Sequence, residues 1–330
     1  DILGHLDPTM IRMLQDLTGI DPLEIPLDSK EVMSLFQNTS ALGIKPEDIG
    51  GTKLGALGIP EFGTDFAMQM LMDTNPQYFS DLVRIAGLAH GTDVWLGNAQ
   101  TLIKEGKATI STAICTRDDI MIYLIQKGLD SEESFKIMEM VRKGKVASGK
   151  CKEWPEWKQD MIDHGVPDWY IWSCERIKYM FPKAHAASYV MMAWRVAYCK
   201  VFYPLAYYTA YFSIRATAFD YEKMAMSPVR LEHYIAEYKA KKAEGTISNT
   251  EEDELGVMRI VQEMHARGYE FTPIDIYKAK ARTFQIIDGK IMPSFKVISK
   301  VGEVAGESIE IAARDGEFLS KDDLRQRAKI

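Results

Sequence analysis

The longest apolar stretch of the sequence, residues 184–214, is interrupted by Arg195, Lys200 and Pro204. A membrane-crossing helix needs about 20 consecutive apolar residues, so we expect no membrane span and no membrane partner. A helix from Ala187 to Tyr203 is expected instead, because Pro204 cannot donate the next backbone hydrogen bond. The aromatic residues of the run 198–212 could stack on bases, but their helical spacing is more typical of a buried core.

Composition indicates a globular protein. The chain has 330 residues, of which 46% are apolar, enough for two or three compact units. Four cysteines, at positions 115, 151, 174 and 199, form no close pair of the kind found in zinc sites. We therefore expect reduced thiols, a cytoplasmic protein and no bound zinc.

Most of the remaining pattern is helical. One helix is expected from Asp7 to Leu17, with Gly19 as its stop, and another from Asp118 to Gly128. Ser131 is the expected N-cap of a third helix, which ends among the cations of residues 142–145. Linkers are expected at residues 50–60, 148–157 and 243–256.

The one clear strand signal lies late in the chain. Phe284, Ile286 and Ile291 flank Asp288-Gly289, a dipeptide typical of a type I′ hairpin turn. A short helical hairpin is expected next, over residues 295–313 with its turn at Val301-Gly302. Such a hairpin can direct backbone N–H groups at a phosphate, although an ordinary two-helix corner has the same pattern.

Positive charge is concentrated in one region. The net charge is −7, yet residues 136–200 contain twelve Lys and Arg against seven Asp and Glu. Within this region, RKGK (residues 142–145) and FPKAHAASY (residues 181–189) could hold a phosphate. Alternatively, the first motif only complements a helix C-terminus, and His185 only satisfies a backbone carbonyl. No Walker loop, serine triad or His-Glu-x-x-His motif is present in the sequence.

Taken together and in order, these segments resemble the PolC-type replicative polymerase, the alpha subunit family of DNA polymerase III. The resemblance covers essentially the whole chain. It rests on the following motifs: DILG and DPTMIRMLQDLTGIDP within residues 1–22, GIPEFGTDF (58–66), GLAHGTDVWLGNAQ (87–100), RDDIMIYLIQKGL (117–129), MVRKGK (140–145), VPDWY (166–170) and FPKAHAASYVMMAWRVAY (181–198).

The resemblance implies DNA-directed DNA synthesis in chromosomal replication. A primer 3′-hydroxyl attacks the alpha phosphate of a deoxynucleoside triphosphate, assisted by Mg²⁺ ions on palm carboxylates. Asp1 matches the third palm aspartate, which makes it the expected catalytic and metal-binding residue. No motif in this sequence matches the paired aspartates, so we expect the chain alone to be inactive. Implied partners are primer-template DNA, deoxynucleoside triphosphates and, through regions outside this sequence, the sliding clamp and clamp loader.

The resemblance also assigns site residues. Those expected to bind the incoming nucleotide are Arg142, Lys143, Lys145, Lys183, His185, Tyr189, His90, Asp93 and Asn98. Those expected to bind DNA are Arg195, Lys296, Lys300, Val301 and Gly302. Two positions depart from the family pattern: Leu6 replaces an acid that is frequent in relatives, and Lys300 replaces the first glycine of the hairpin, where it restricts the turn.

The expected fold is mainly α, a multi-helical fingers region with a small β-hairpin and a C-terminal helix-hairpin-helix. Its expected divisions are the palm edge at 1–20, the fingers at 21–240, a linker helix and β-hairpin at 241–290, and the helix-hairpin-helix module at 291–330. Two other classes of function stay open. A non-enzymatic DNA-binding scaffold would not bind nucleotide, and a helical protein-interaction module would not bind DNA at any salt concentration.

Overall fold

The computed structural model describes residues 4–330. Sixteen α-helices and one two-stranded sheet occur in this range, which confirms the mainly α class. The helices are Leu6–Thr18 (α1), Lys30–Ser34 (α2), Asp65–Thr74 (α3), Phe79–His90 (α4), Gln100–Lys104 (α5), Arg117–Gln126 (α6), Ser131–Arg142 (α7), Trp154–Asp163 (α8), Asp168–Cys174 (α9), Lys183–Phe202 (α10), Pro204–Ile214 (α11), Tyr221–Met224 (α12), Pro228–Glu244 (α13), Asn249–Ala266 (α14), Glu303–Arg314 (α15) and Lys321–Ala328 (α16). The strands are Gln285–Ile287 (β1) and Lys290–Met292 (β2).

The chain divides into two compact units. The first contains residues 1–26, 38–59 and 195–330, and the second contains residues 27–37 and 60–194. Both units are therefore built from segments distant in sequence. The four contiguous divisions expected from the sequence stay predictions.

The first unit has an aromatic core. The ring of Phe212 on α11 lies 5.3 Å from that of Phe219 and 5.7 Å from that of Phe284. Tyr207 and Tyr208 of the same helix are fully buried. The α11 rings of Tyr207, Tyr208 and Phe212 are thus core, as expected, whereas Phe202 at the end of α10 is 45% exposed.

A buried ion pair fixes the glycine-rich segment of the first unit. The Lys200 ammonium lies 2.9 Å from the Glu263 carboxylate and donates to the carbonyl oxygens of Gly55 and Leu57, each at 2.7 Å. Lys200 is fully buried, and desolvation lowers its pKa to about 8 despite the attraction of Glu263. The segment 50–60, expected to be a linker, contains the boundary between the two units at residues 59 and 60, but its Leu54 and Leu57 are buried.

The hairpin is confirmed. Strands β1 and β2 are antiparallel, with Ile286 opposite Ile291. Asp288 and Gly289 have φ values of 51° and 75°, as a type I′ turn requires.

Other elements differ from expectation at their ends. Asp130, and not Ser131, caps α7, because its carboxylate accepts the N–H groups of Glu132 and Glu133. Helix α10 begins at Lys183, so Lys183 and His185 lie in its first turn and not ahead of it. Two expected linkers contain helix starts, at Trp154 and Asn249.

The helical hairpin is shorter than expected. Its first arm is one 3₁₀ turn, Phe295–Val297, and only its second arm, α15, is an α-helix. Among residues 4–330, no helix combines the length and apolar character that a bilayer crossing would require.

Candidate nucleotide-binding surface

A short segment of the second unit, residues 178–183, ends at the first residue of α10 and connects three other segments. Its Tyr179 forms a β-bridge with Thr92, and the Thr92 N–H donates to the Tyr179 carbonyl at 2.9 Å. Its Met180 N–H donates to the Arg142 carbonyl at 3.2 Å. We call residues 178–183 the hub, because it joins the segment after α4 to the end of α7.

The start of α6 is bound to the same hub. The Arg117 N–H donates to the Phe181 carbonyl at 3.2 Å, and the Lys183 N–H donates to the Asp118 carboxylate at 2.6 Å. Hydrogen bonds to the hub thus hold residues 92, 142, 117 and 118 around one short segment. Candidate residues up to about 90 positions apart in sequence become neighbours in this way.

Aromatic rings continue from the hub along α10. The Phe181 ring stacks on the His185 ring at 5.0 Å, and the His185 ring lies 4.4 Å from that of Tyr189. The His90 ring lies 5.8 Å from Phe181 and 6.5 Å from His185. Three of the predicted nucleotide-binding residues therefore form one ring cluster.

His90 also pairs with an acid that the sequence analysis did not identify. Its Nε2 atom contacts the Glu61 carboxylate. This hydrogen bond raises the pKa of His90 above its usual value, although burial acts in the opposite direction. The positive form of His90 is thereby favoured beside the hub.

The cations of residues 142–145 differ in their partners. Arg142 donates to Glu139 at 2.5 Å and 3.0 Å, and the Lys143 ammonium lies 2.8 Å from the same carboxylate. The two cations hold the pKa of Glu139 at about 2. The i,i+3 and i,i+4 spacing of Glu139 could have predicted this pairing.

Lys145 and Lys183 are exposed, and within residues 4–330 their ammonium groups have no ion pair or side-chain hydrogen bond. Among the lysines and arginines predicted to bind the nucleotide, these are the two that keep their full capacity for a phosphate.

Another cation at the hub, Lys178, was missed by the sequence analysis. Its ammonium lies 2.7 Å from the Asp93 carboxylate, and it stands in no motif that would have singled it out.

Asn98 lies inside the second unit. It is 1% exposed, its amide N–H donates to the Asp93 carbonyl at 2.9 Å, and its oxygen accepts the Ser173 hydroxyl at 2.5 Å. Trp95 beside it is buried as well. These contacts fix the loop that carries Asp93.

The predicted DNA-binding residues lie in the first unit. Lys300 is exposed at a turn, with a φ of 67°, and Gly302 precedes the first turn of α15. The Lys296 ammonium donates to the Ser213 carbonyl at 2.7 Å, and burial lowers its pKa. Val301 packs against the apolar cluster of Phe295 and Ile309.

Arg195 lines a narrow cavity against α1, and its Nε is buried with no hydrogen-bond partner in the described residues. Asp1 lies outside those residues. Within 4–330, no three His, Cys, Asp or Glu side chains are grouped as a metal would require.

Comparison with known proteins shows what this chain is similar to. Residues 7–165 match the model of the bacterial DNA polymerase III alpha subunit finger domain. The whole chain is 52% identical to DNA polymerase III PolC-type of Streptococcus suis and 51% identical to that of Bacillus subtilis, and it covers 22% of each relative. The corresponding protein of Caldanaerobacter subterraneus is 49% identical, with 23% covered.

These matches confirm the resemblance seen in the sequence. The chain is similar to the alpha subunit of bacterial DNA polymerase III, and within that class it matches a fragment of the PolC type. It spans about a fifth of the length of the curated relatives that it matches.

Proposed function

We propose that this chain supplies the fingers of a template-directed DNA polymerase, where they bind the incoming deoxynucleoside triphosphate. The observation that carries the proposal is the convergence of Arg142, Lys183, His185 and His90 around the hub. A triphosphate carries several negative charges, and cations held on rigid segments bind it without further ordering.

The residues of this surface have distinct roles in the proposal. Lys145 and Lys183 contact the phosphates directly, since neither is neutralised by an acid in the described residues. Arg142 and Lys143 add charge that Glu139 partly offsets. Tyr189 and His185 present rings beside the phosphates, where the nascent base pair would stack. Asn98 acts through the Asp93 loop and not through the nucleotide.

The C-terminal hairpin is proposed to track duplex DNA. Its turn exposes Lys300, and the first N–H groups of α15 follow Gly302, which provides no side-chain cap. Both features suit a backbone phosphate. Lys296 supports the turn through Ser213, and Arg195 is proposed to contact DNA from α10.

DNA polymerases depend on metal ions as a class, and Mg²⁺ would supply charge neutralisation at the reacting phosphates. The described residues do not form such a site by themselves. Asp1 remains the proposed ligand, with the paired carboxylates, the sliding clamp contact and the clamp loader contact supplied by regions outside this sequence.

A nucleotide-binding measurement tests the proposal. The chain is titrated with a fluorescent deoxynucleoside triphosphate, and Lys183→Ala and Lys145→Ala are each expected to weaken binding about tenfold, as the loss of one charge-assisted contact predicts. Lys152→Ala, which removes an exposed lysine outside the hub, serves as the matched control. A wild-type chain that binds duplex DNA but no nucleotide would favour the scaffold function.

A further inference from the structure

A cavity of about 380 Å³ lies in the second unit beside the nucleotide-binding surface. Its walls come from α6, α9, the loop before α6 and the start of α10. Ligand pockets in proteins start at about 300 Å³, so the cavity has room for one nucleotide and not for a duplex.

One wall of this cavity is aromatic. The Tyr123 and Tyr170 rings stack at 4.2 Å with an interplanar angle of 19°, and the Trp169 ring meets that of Tyr170 at 5.6 Å. Tyr170 is buried, whereas Tyr123 and Trp169 are only half-buried. The outer rings, Tyr123 and Trp169, are therefore partly accessible to a ligand.

The Tyr170 hydroxyl supplies a second, independent observation. Tyr170 is 2% exposed and lines the cavity, yet its hydroxyl has no hydrogen-bond partner among residues 4–330. An unsatisfied buried hydroxyl is energetically unfavourable. A ligand with a polar edge, such as a nucleobase, would satisfy it.

The charges around the cavity suit a phosphate. Three charged side chains line it, namely Arg84 of α4, Lys183 and Asp119. Arg84 is paired with Asp81 at 2.9 Å, so Lys183 is the lining cation whose ammonium has no acidic partner among residues 4–330. The Asp119 carboxylate is occupied by the N–H groups of Cys115 and Thr116, at 3.1 Å and 2.8 Å. Lys127, with its ammonium 5.5 Å from the centre of the Tyr123 ring, adds a cation at the aromatic wall.

From these features we propose that the cavity binds a single unstacked nucleotide, with its base against Tyr123 and Trp169 and its phosphate at Lys183 and Arg84. The proposal rests on the proposed function, because Lys183 belongs to both surfaces. Base stacking on an aromatic ring tolerates any sequence. The ligand can therefore come from a single DNA strand or from free nucleotide.

Photocrosslinking tests the site on the full chain. A single-stranded oligothymidylate with one central 5-iododeoxyuridine is bound and irradiated, and the adduct is mapped by mass spectrometry. The proposal expects the adduct on Tyr123 or Trp169. An adduct confined to other residues would overturn it, and so would the binding of neither the oligonucleotide nor thymidine monophosphate.

Matched variants on α9 separate stacking from general damage. Trp169→Ala should weaken oligonucleotide binding about tenfold, because it removes a ring on which the base stacks. Trp172→Ala should leave binding unchanged, because Trp172 stacks under Arg176 at 3.6 Å and does not line the cavity. Equal affinities for the two variants would contradict the proposal.

Competition identifies the source of the nucleotide. Thymidine monophosphate that displaces the oligonucleotide supports a free nucleotide, and failure to displace it supports a DNA strand. Triphosphate binding is measured in parallel. If triphosphate binding still depends on Lys145 while the adduct lies outside the cavity, the cavity proposal fails and the proposed function stands. If neither the triphosphate nor the oligonucleotide binds, both the cavity proposal and the proposed function fail.

Discussion

A Cβ atom on Gly144 would lie 2.5 Å from the carbonyl oxygen of Lys178. The turn at the end of α7 therefore rests directly on the backbone of the hub. This close approach places Lys143 and Lys145 on either side of a contact that only glycine permits.

Gly144→Ala is expected to weaken both the fold and nucleotide binding. Gly144 and Gly149 have φ values of 69° and 70°, so alanine costs about 1–2 kcal/mol of backbone strain at either position. Only at Gly144 does the new methyl group also clash, for about 1–3 kcal/mol more. Thermal unfolding and triphosphate titration of both variants measure the difference. Equal losses of stability and of affinity in Gly144→Ala and Gly149→Ala would show that the contact between Gly144 and Lys178 contributes to neither.

Glu139→Gln should strengthen triphosphate binding, by up to about fivefold, because it releases Arg142 and Lys143 from a pair worth about 0–1 kcal/mol. Glu132→Gln breaks an exposed pair with Lys136 on the same helix and should have no effect. Weaker binding after Glu139→Gln would mean that Glu139 orients the two cations and does not compete for them.

The lowered pKa of Glu139 predicts that the stability of the protein depends on pH. The pKa of this side chain is lowered from 4.5 to about 2 in the folded protein, so the folded state binds the proton less readily than the unfolded state. Its contribution to stability is therefore complete above pH 4.5 and is lost as the pH falls toward 2. Denaturant unfolding between these values should show a shallower loss in Glu139→Gln than in the wild type.

Lys300→Gly should stabilise the protein and weaken DNA binding. Lys300 has a φ of 67°. This conformation costs a residue with a Cβ atom about 1–2 kcal/mol, whereas glycine adopts it without a comparable cost. Lys300→Ala removes the same charge but keeps the strain. Both variants should lower the slope of log affinity against log salt by about one, and only the glycine variant should raise the unfolding midpoint.

Lys200→Met should destabilise the first unit by about 3–5 kcal/mol, because it leaves the buried Glu263 carboxylate without its countercharge. Lys242→Met, which breaks an exposed pair with Glu252, should cost less than about 1 kcal/mol. Urea unfolding followed by circular dichroism compares the two. A small effect of Lys200→Met would show that the buried Lys200–Glu263 pair contributes little to stability.

Much of the fold follows from local sequence. Gly19 ends α1 with a φ of 74° and Asp288-Gly289 forms its hairpin turn, because these conformations depend on the residues themselves. The role of residues 50–60 was missed because it depends on a contact with a residue that is distant in sequence. Lys200 binds this segment from about 145 positions away, and no local pattern contains such a contact.

The candidate site was likewise only partly predictable from the sequence. The motifs indicated Arg142, Lys183 and His185, but their assembly depends on backbone hydrogen bonds to the hub, which a sequence does not display. Lys178 and Glu61 were missed because each becomes recognisable only through its partner. The role of Asp1 stays a prediction.

Lysine reactivity tests most directly whether the cations form one polyphosphate surface. The chain is treated with an acetylating reagent with and without deoxynucleoside triphosphate, and the modification of each lysine is quantified by mass spectrometry. Lys145 and Lys183 should be protected together, at the same nucleotide concentration, while Lys152 reacts unchanged. Protection of one without the other, or of neither at saturating nucleotide, would contradict the account.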